Sequence, residues 1–347
     1  MNILIDINHP AHVHLFKNAV RELEKRGHKI HLAARDKDVT IDLLRSLGMK
    51  HEISTKAKKG KLHFAIELLE HDYKIYKMVK MHGIEVMLGT SPCIAHVGRI
   101  TKARSIVFNE DNADAVRWFS RLTYPFADQI ITPVSLNEDH GKKHVKVNSY
   151  HELAYLHPNH FKADPHILSK LNVNEGERYF IIRFASFLSH HDYGEVGLSE
   201  DVAYEIIREL SRFGKLFVSS EKEMSEEYRK YRLRIAPHEI HDALAYAKIL
   251  ISDSQTMTAE AAVLGIPSIR CNTFVGRLSY LDELEHRYGL TFGFLPNEAD
   301  RMMSKIRELL MTRELRREWL VKRDKLLKDK IDFNQWIVDY IDGLRKQ

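Results

Sequence analysis

Only two cysteines, Cys93 and Cys271, occur in 347 residues. That is too few for a disulfide framework and fits a reducing compartment, so a cytoplasmic location is expected. Glycine and proline together number 25, which excludes collagen-like and low-complexity chains. No apolar stretch approaches the roughly 18–20 residues of a membrane span. The opening MNILIDINHP has no basic-then-apolar leader, so a signal peptide is not expected. A one-sided charge is missing too. The net charge is +5, and residues 301–330 alone hold 11 Lys/Arg against five Asp/Glu, leaving the remainder at −1. This excludes a nucleic-acid partner and reads as one solvated or surface-associating helical segment. Neither a Gly-x-x-x-x-Gly-Lys-Ser/Thr loop nor a Gly-x-Gly-x-x-Gly fingerprint is present, so ATPase and dinucleotide readings lose support.

What the chain does have is 21 histidines and a steady alternation of short apolar runs with longer helical patterns. The pattern predicts strands at Asn2–Ile7, Lys29–Ala34, Met49–Ile53, Ile84–Leu88, Ser105–Phe108 and Gln129–Thr132. Helices are predicted between them at His12–Arg26, Val39–Leu47, Phe64–His82 and Ile94–Thr101, with Gly27 stopping the first. The pattern loosens over Tyr150–Asn174, where the domain junction is placed near residue 160. Alternation resumes with strands at Tyr179–Phe184, Lys215–Ser219, Lys248–Ser252 and Pro267–Arg270. Helices at Glu200–Phe213, His241–Ala247 and Thr256–Leu264 separate them. The end is helical, from Glu298 to Lys330 and from Phe333 to Leu344. The expectation is α/β: two Rossmann-like parallel-sheet domains facing a cleft, 1–160 and 161–330, with 331–347 returning to the first. Ligands in such folds bind at the C-terminal ends of the strands.

Five segments fall at those ends. The first strand runs into Asp6-Ile-Asn8-His9-Pro10-Ala11-His12-Val13-His14. The positive end of a helix disfavours imidazolium, so a histidine here is a candidate neutral base, His12 ahead of His14. Packing or capping is the other use for His9 and His14. The His12-x-His14 spacing also fits an amidohydrolase-type metal site, which needs an eight-stranded barrel. In the second half, Ser252-Asp253-Ser254-Gln255-Thr256 opens a helix whose first N–H groups and hydroxyls can hold a pyrophosphate. Glu260, one turn on, can take two vicinal ribose hydroxyls. Simple N-capping by Asp253 or Ser254 is the alternative. Arg183 ends another strand, and His190-His191-Asp192 follows on the same loop. Thr90-Ser91 and Asn109-Glu110-Asp111 follow first-domain strands. Asp36-Lys37-Asp38 reads as loop and helix capping, and Lys56–Lys61 as a solvated basic loop, with guidance of an anionic or membrane-surface acceptor as the alternative.

The Ser252–Pro267 segment resembles the nucleotide-diphosphate site of glycosyltransferase-B-fold (GT-B) proteins. These include the peptidoglycan N-acetylglucosaminyl transferase and the non-hydrolysing UDP-N-acetylglucosamine 2-epimerases. The opening His-Pro-Ala-His-Val-His-Leu-Phe and Ala34-Arg-Asp-Lys-Asp38 resemble one group of that superfamily more closely. That group is an archaeal and bacterial glycosyltransferase-like family of unknown function. Gly89-Thr-Ser-Pro92, Glu152-Leu-Ala-Tyr-Leu-His157, Arg183-Phe-Ala-Ser186, His191-Asp192 and Tyr288-Gly-Leu290 extend the resemblance over most of the chain.

The resemblance implies metal-independent sugar transfer from a nucleotide-diphosphate sugar, a UDP-sugar in the first place, to a sugar, lipid-linked or small-molecule hydroxyl acceptor, with no cofactor. His12 takes the place of the acceptor base. Arg183, Ser186 and His191 face the donor, with Arg183 neutralising the leaving diphosphate. His238 and Ile240 flank the base; Asp253, Ser254, Gln255, Thr256 and Glu260 hold the rest of the nucleotide. Two further readings are 2-epimerisation of a UDP-N-acetylhexosamine, using Glu110, Asp111 or Asp192, and non-catalytic nucleotide-sugar binding in polysaccharide assembly. A peripheral membrane contact is also expected.

Overall fold

The computed structural model describes residues 1–56, 61–174, 176–184, 197–220 and 226–345. The chain divides into two compact units, Met1–His160 with Lys330–Gln347, and Phe161–Asp329.

The first unit alternates β1 (Asn2–Ile7), α1 (Pro10–Lys25), β2 (Lys29–Asp36), α2 (Thr40–Ser46), β3 (Glu52–Lys56), α3 (Lys61–His82), β4 (Val86–Gly89), α4 (Pro92–Ile100), β5 (Arg104–Phe108), α5 (Arg117–Thr123), β6 (Gln129–Pro133) and β7 (His144–Val147). The strands form a seven-stranded sheet in the order β3-β2-β1-β4-β5-β6-β7, and each pairing between neighbours is parallel. A parallel sheet is covered on both faces, which is why β1 reads as an unbroken apolar run: Ile3, Leu4, Ile5 and Ile7 are all fully buried. The order reverses between β1 and β4, so the loops after these two strands flank a crevice of the kind that binds ligands. Their approach is close. A Cβ on Gly89 would stand 2.8 Å from the Asp6 carbonyl oxygen, so only glycine fits at the end of β4.

The second unit carries α6 (His166–Lys170), β8 (Tyr179–Phe184), α7 (Glu200–Leu210), β9 (Lys215–Ser220), α8 (Ile240–Tyr246), β10 (Ile249–Ser252), α9 (Gln255–Leu264), β11 (Ser268–Cys271), α10 (Ser279–Asp282), β12 (Thr291–Phe294), α11 (Ala299–Met311) and α12 (Leu315–Asp329). Its five strands run β12-β11-β10-β8-β9, all parallel, with the reversal between β8 and β10. α9 is buried on every side from Met257 to Leu264, as expected of a short helix that is apolar all round. It ends at Gly265, whose φ of +72° is the left-handed stop that favours glycine.

α13 (Phe333–Leu344) belongs to the first unit, where it packs on α1. Ile337, Val338 and Ile341 are fully buried, and Phe333 meets Phe108 at 6.2 Å between ring centres.

Three expectations are corrected here. The third strand lies at Glu52–Lys56, not Met49–Ile53, because Met49 is still bonded back to Leu44 at the end of α2. The helix expected over 298–330 is two helices, broken where Thr312 turns extended. Among the described residues the eight-stranded barrel required by the amidohydrolase-type reading is absent, since the first sheet has seven strands running in order from β3 at one edge to β7 at the other.

Candidate functional site

In the first unit the loops after β1 and β4 meet around His12. His9 is the N-cap of α1, its Nδ1 accepting from the Ala11 amide at 3.2 Å. His12 repeats the device: its Nδ1 accepts from the Asn8 amide at 3.2 Å. His9 thus satisfies an amide that the helix start leaves open, and His12 one in the turn that leads into it. A backbone N–H can only donate, so Nδ1 of His12 is unprotonated, and the neutral ring carries its proton on Nε2. Thr90 Oγ1 stands 2.5 Å from Nε2 and 2.8 Å from Nδ1. Burial, with His9 and His151 nearby, holds His12 well below the usual 6.5 against the opposing pull of Asp6. The imidazole is neutral, as its place at a helix start implies.

Behind it lies a buried ion pair. Asp6, fully buried at the end of β1, has Oδ1 3.0 Å from Nε2 of His71 on α3. Burial alone would raise the Asp6 pKa, but the charge and hydrogen bond of His71, with bonds from Ser91 and Asn8, bring it below the usual value. Burial would lower His71, and Asp6 reverses that and raises it. Each shift favours the charged form of its group.

The loops after β5 and β7 add His151, whose amide donates to Glu110 Oε2 at 3.1 Å and whose Nδ1 lies 3.4 Å from Oε1. Its ring stacks on Phe333 at 5.7 Å, and its Nε2 is buried without a hydrogen-bond partner among the described residues. Burial pushes His151 down to about 4, against Glu152 and Asp111; burial pushes the Asp111 carboxyl up, against His151. His14 points elsewhere: it is buried and stacked on Tyr155 at 5.3 Å, with Lys17 Nζ 3.4 Å away.

In the second unit the strand ends align in one row. Ser219, Arg183, Ser252, Arg270 and Gly293 are register partners across β9, β8, β10, β11 and β12. Arg183 donates from Nη1 to Ser219 Oγ at 2.8 Å. Arg270 is almost wholly buried, and its Nη1 has no partner among the described residues. Beyond β10, Ser252 Oγ accepts from the Ser254 amide at 2.8 Å, and Asn272 pins the Asp253 carbonyl at 2.7 Å. Ser254 is the N-cap of α9 and accepts from the Met257 amide. Ser254, Gln255 and Thr256 remain partly exposed, and no acidic residue occupies the first turn. The result is an accessible helix N-terminus of positive potential. Asp253 is buried.

Glu260 and His241 are both buried, with Oε1 2.9 Å from Nε2. Before α8 the chain makes a short 3-10 turn at Pro237–Glu239, where His238 is exposed and Ile240 partly so. An open depression of about 580 Å³ lies alongside, lined by Arg232, Leu233, Arg234, Ile235, Ala236 and Glu239. Ser186, His190, His191 and Asp192 lie outside the described residues. Among the described residues no three His, Cys, Asp or Glu side chains stand together to hold a metal ion.

The structure thus brings His12 together with Thr90, and Asp253, Ser254, Gln255 and Thr256 together at one helix start. The sequence reading missed His71, His151 and Arg270. A histidine pairing with an aspartate 65 positions away leaves no local trace. Arg270, a charge inside an apolar strand, was visible as such in Ile269-Arg270-Cys271.

A family model described as "Protein of unknown function (DUF354)" matches residues 1–291. Uncharacterized protein MJ0665 of Methanocaldococcus jannaschii is 25% identical over 297 residues, covering 78% of this chain and 82% of its own. Among solved structures, the spinosyn forosaminyltransferase SpnP superposes with a TM-score of 0.69 at 14% identity, over 100% of both chains. The UDP-GlcNAc 2-epimerase of Neisseria meningitidis, bound to UDP-GlcNAc, superposes with a TM-score of 0.62 at 12% identity, over 100% of both chains. The fold is of the GT-B type.

Proposed function

The chain belongs to the DUF354 family, and from that footing we propose that it is a metal-independent GT-B enzyme transferring a glycosyl unit from a nucleotide-diphosphate sugar, a UDP-sugar in the first place, to a hydroxyl acceptor. The observation that carries this is the start of α9: a buried strand, a serine N-cap, and partly exposed Gln255 and Thr256 in a first turn that carries no acidic side chain. Such an end attracts a diphosphate. Arg183, in register with Ser252, supplies the cation that offsets charge on the leaving diphosphate, replacing a metal in that role. Glu260, oriented by His241, takes the ribose. The depression beside Pro237–Glu239 takes the base, with His238 and Ile240 at its margin.

In the first unit, His12 acts in this reading as a neutral donor and not as the base expected from the sequence, because the Asn8 amide occupies its unprotonated nitrogen. Its Nδ1 is committed to Asn8, so Nε2–H, which meets Thr90 Oγ1 in the structure, is the group that turns to the acceptor oxygen. The acceptor proton passes to a carboxylate, and this reading assigns it to Asp111, on the loop after β5 beside His151.

A thermal-shift panel of UDP-, GDP- and TDP-sugars tests the reading. Saturating UDP-sugar is expected to raise the melting temperature, and silence across the panel sinks the proposal. The carboxyl groups of Glu110 and Asp111 beside His151 favour one second reading, 2-epimerisation of a UDP-N-acetylhexosamine. Incubation with UDP-N-acetylglucosamine in heavy water separates the two: epimerisation places deuterium at C2, and transfer does not.

A further inference from the structure

The outward face of α3 is apolar where a surface helix is ordinarily polar. Ile66, Leu69 and Tyr73 are 50%, 69% and 66% exposed. With exposed Lys77 and Lys80 they fall within roughly a quarter of the helix circumference, at 3.6 residues per turn. The stripe is thus apolar in its first half and cationic in its second. On α5, Trp118 is 76% exposed and sits between exposed Arg117 and Arg121. The two helices cover the same side of the seven-stranded sheet, because Leu68 and Phe119, the neighbours of Leu69 and Trp118, pack on one core cluster.

The carboxylates of α3 do not offset this charge. Glu67 is turned inward onto Arg35, bonded at 3.1 Å, and Asp72 holds His96 at 3.0 Å. Glu70 lies 3.7 Å from Lys74. Aromatic and aliphatic tips among lysines and arginines are what an anionic lipid surface accommodates: rings settle at headgroup depth and cations meet the headgroup charge. No described helix is long and apolar enough to cross a membrane, so any such contact is peripheral. Two copies meeting through the same patch would bring like charges together, which disfavours self-pairing.

We propose that this face of α3 and α5 docks the protein on an anionic membrane surface, with Ile66, Leu69, Tyr73 and Trp118 entering the interface and Lys77, Lys80, Arg117 and Arg121 meeting the headgroups. The proposal does not depend on the sugar chemistry.

Flotation of the full chain with two vesicle types tests it: phosphatidylcholine alone, and phosphatidylcholine with about a third phosphatidylglycerol, enough to set up a negative surface potential. Binding is expected to the anionic vesicles only and to weaken as salt rises. Leu69→Glu with Tyr73→Glu is expected to lower the bound fraction roughly fivefold or more. A melting curve checks that this variant folds, and Leu69→Ser with Tyr73→Ser replaces it if it does not. On the unsubstituted chain, Trp118 emission is expected to shift to the blue with anionic vesicles, and Trp118→Phe to abolish the shift while Trp319 and Trp336 remain. Absence of binding, or binding indifferent to these substitutions, overturns the proposal. So does self-association that the same variants abolish without any vesicle binding, which would give the face to a second copy.

Discussion

The amide of Asn8 donates to Nδ1 of His12 across 3.2 Å, and this bond settles which nitrogen of the ring carries the proton. Burial, His9 and His151 keep the ring neutral, so it stays in the Nε2–H form. Side-chain nitrogen NMR is expected to show His12 in that tautomer at pH 6.5, where an ordinary histidine is half protonated. A ring that titrates at 6.5, or one protonated on Nδ1, contradicts the geometry.

The Asp6–His71 pair is buried, so removing one partner strands the other charge. Asp6→Asn or His71→Gln is expected to cost about 3–5 kcal/mol, read as a lower urea midpoint. The double variant is expected to lose less than the two singles together. The pH dependence follows from the two shifts. His71 is raised, so its contribution is complete below 6.5 and fades as pH rises through the folded value. Asp6 is depressed, so its contribution is complete above 3.8 and fades as pH falls through the folded value. The pair stabilises most between those limits, and single variants that show no larger loss at pH 5.5 than at pH 9 would rule out a charged pair.

His151 works in the opposite sense to His71. Its folded pKa is about 4 against an ordinary 6.5, so below 6.5 the unfolded chain binds a proton that the folded chain refuses. Stability is lost as pH falls through that window, by on the order of 3 kcal/mol in full. His151→Phe keeps a ring against Phe333 and removes the titration. Between pH 7 and 4.5 the variant is expected to lose about 2–3 kcal/mol less than the wild type in urea unfolding. Equal losses would mean that His151 is not held neutral.

The alternation that organises the fold was legible because parallel strands are covered on both faces. β1 and β8 are apolar through most of their length and begin and end where the pattern put them, as does α13. β7 and β12 went unread: His144-Val-Lys-Val147 is half polar, and Thr291–Phe294 carries Gly293. The strand ends were legible for the same reason as the strands, which is why His12, Thr90, Arg183 and Ser254 were singled out. What they bond to was not, since pairings such as Asp6 with His71 are made by topology. Summed charge misled in a different way. Arg323 donates to the Val263 carbonyl at 3.0 Å and Arg316 to that of Gly265 at 3.3 Å. Part of the basic stretch therefore caps the C-terminus of α9 and does not simply face solvent.

That cap makes a test of its own. Gly265 sits at φ +72°, and a Cβ there would also stand 3.0 Å from Arg323 Cδ. Gly265→Ala is expected to cost about 1–2 kcal/mol for the left-handed backbone alone. Arg323→Met leaves the Val263 carbonyl without this donor and is expected to cost about 1 kcal/mol. Melting temperatures of the two variants and their combination check this, and full additivity would show that Arg323 and Gly265 do not share one cap.

Glu260 gives the sharpest test of the nucleotide assignment, because its carboxylate is already held by His241 at 2.9 Å and need not be ordered on binding. A hydrogen bond to a charged group contributes about 1.5–3 kcal/mol, so Glu260→Gln is expected to weaken UDP binding by roughly tenfold or more in calorimetry. The variant is nearly isosteric, and its melting curve without ligand reports whether the His241 contact survives. The sugar hydroxyl can be removed instead of the carboxylate. If Glu260 takes the ribose, the wild type prefers UDP to its 2′-deoxy analogue and Glu260→Gln largely loses that preference. A variant that binds both nucleotides as the wild type does would show that Glu260 only supports His241, and would move the ribose contact to another side chain.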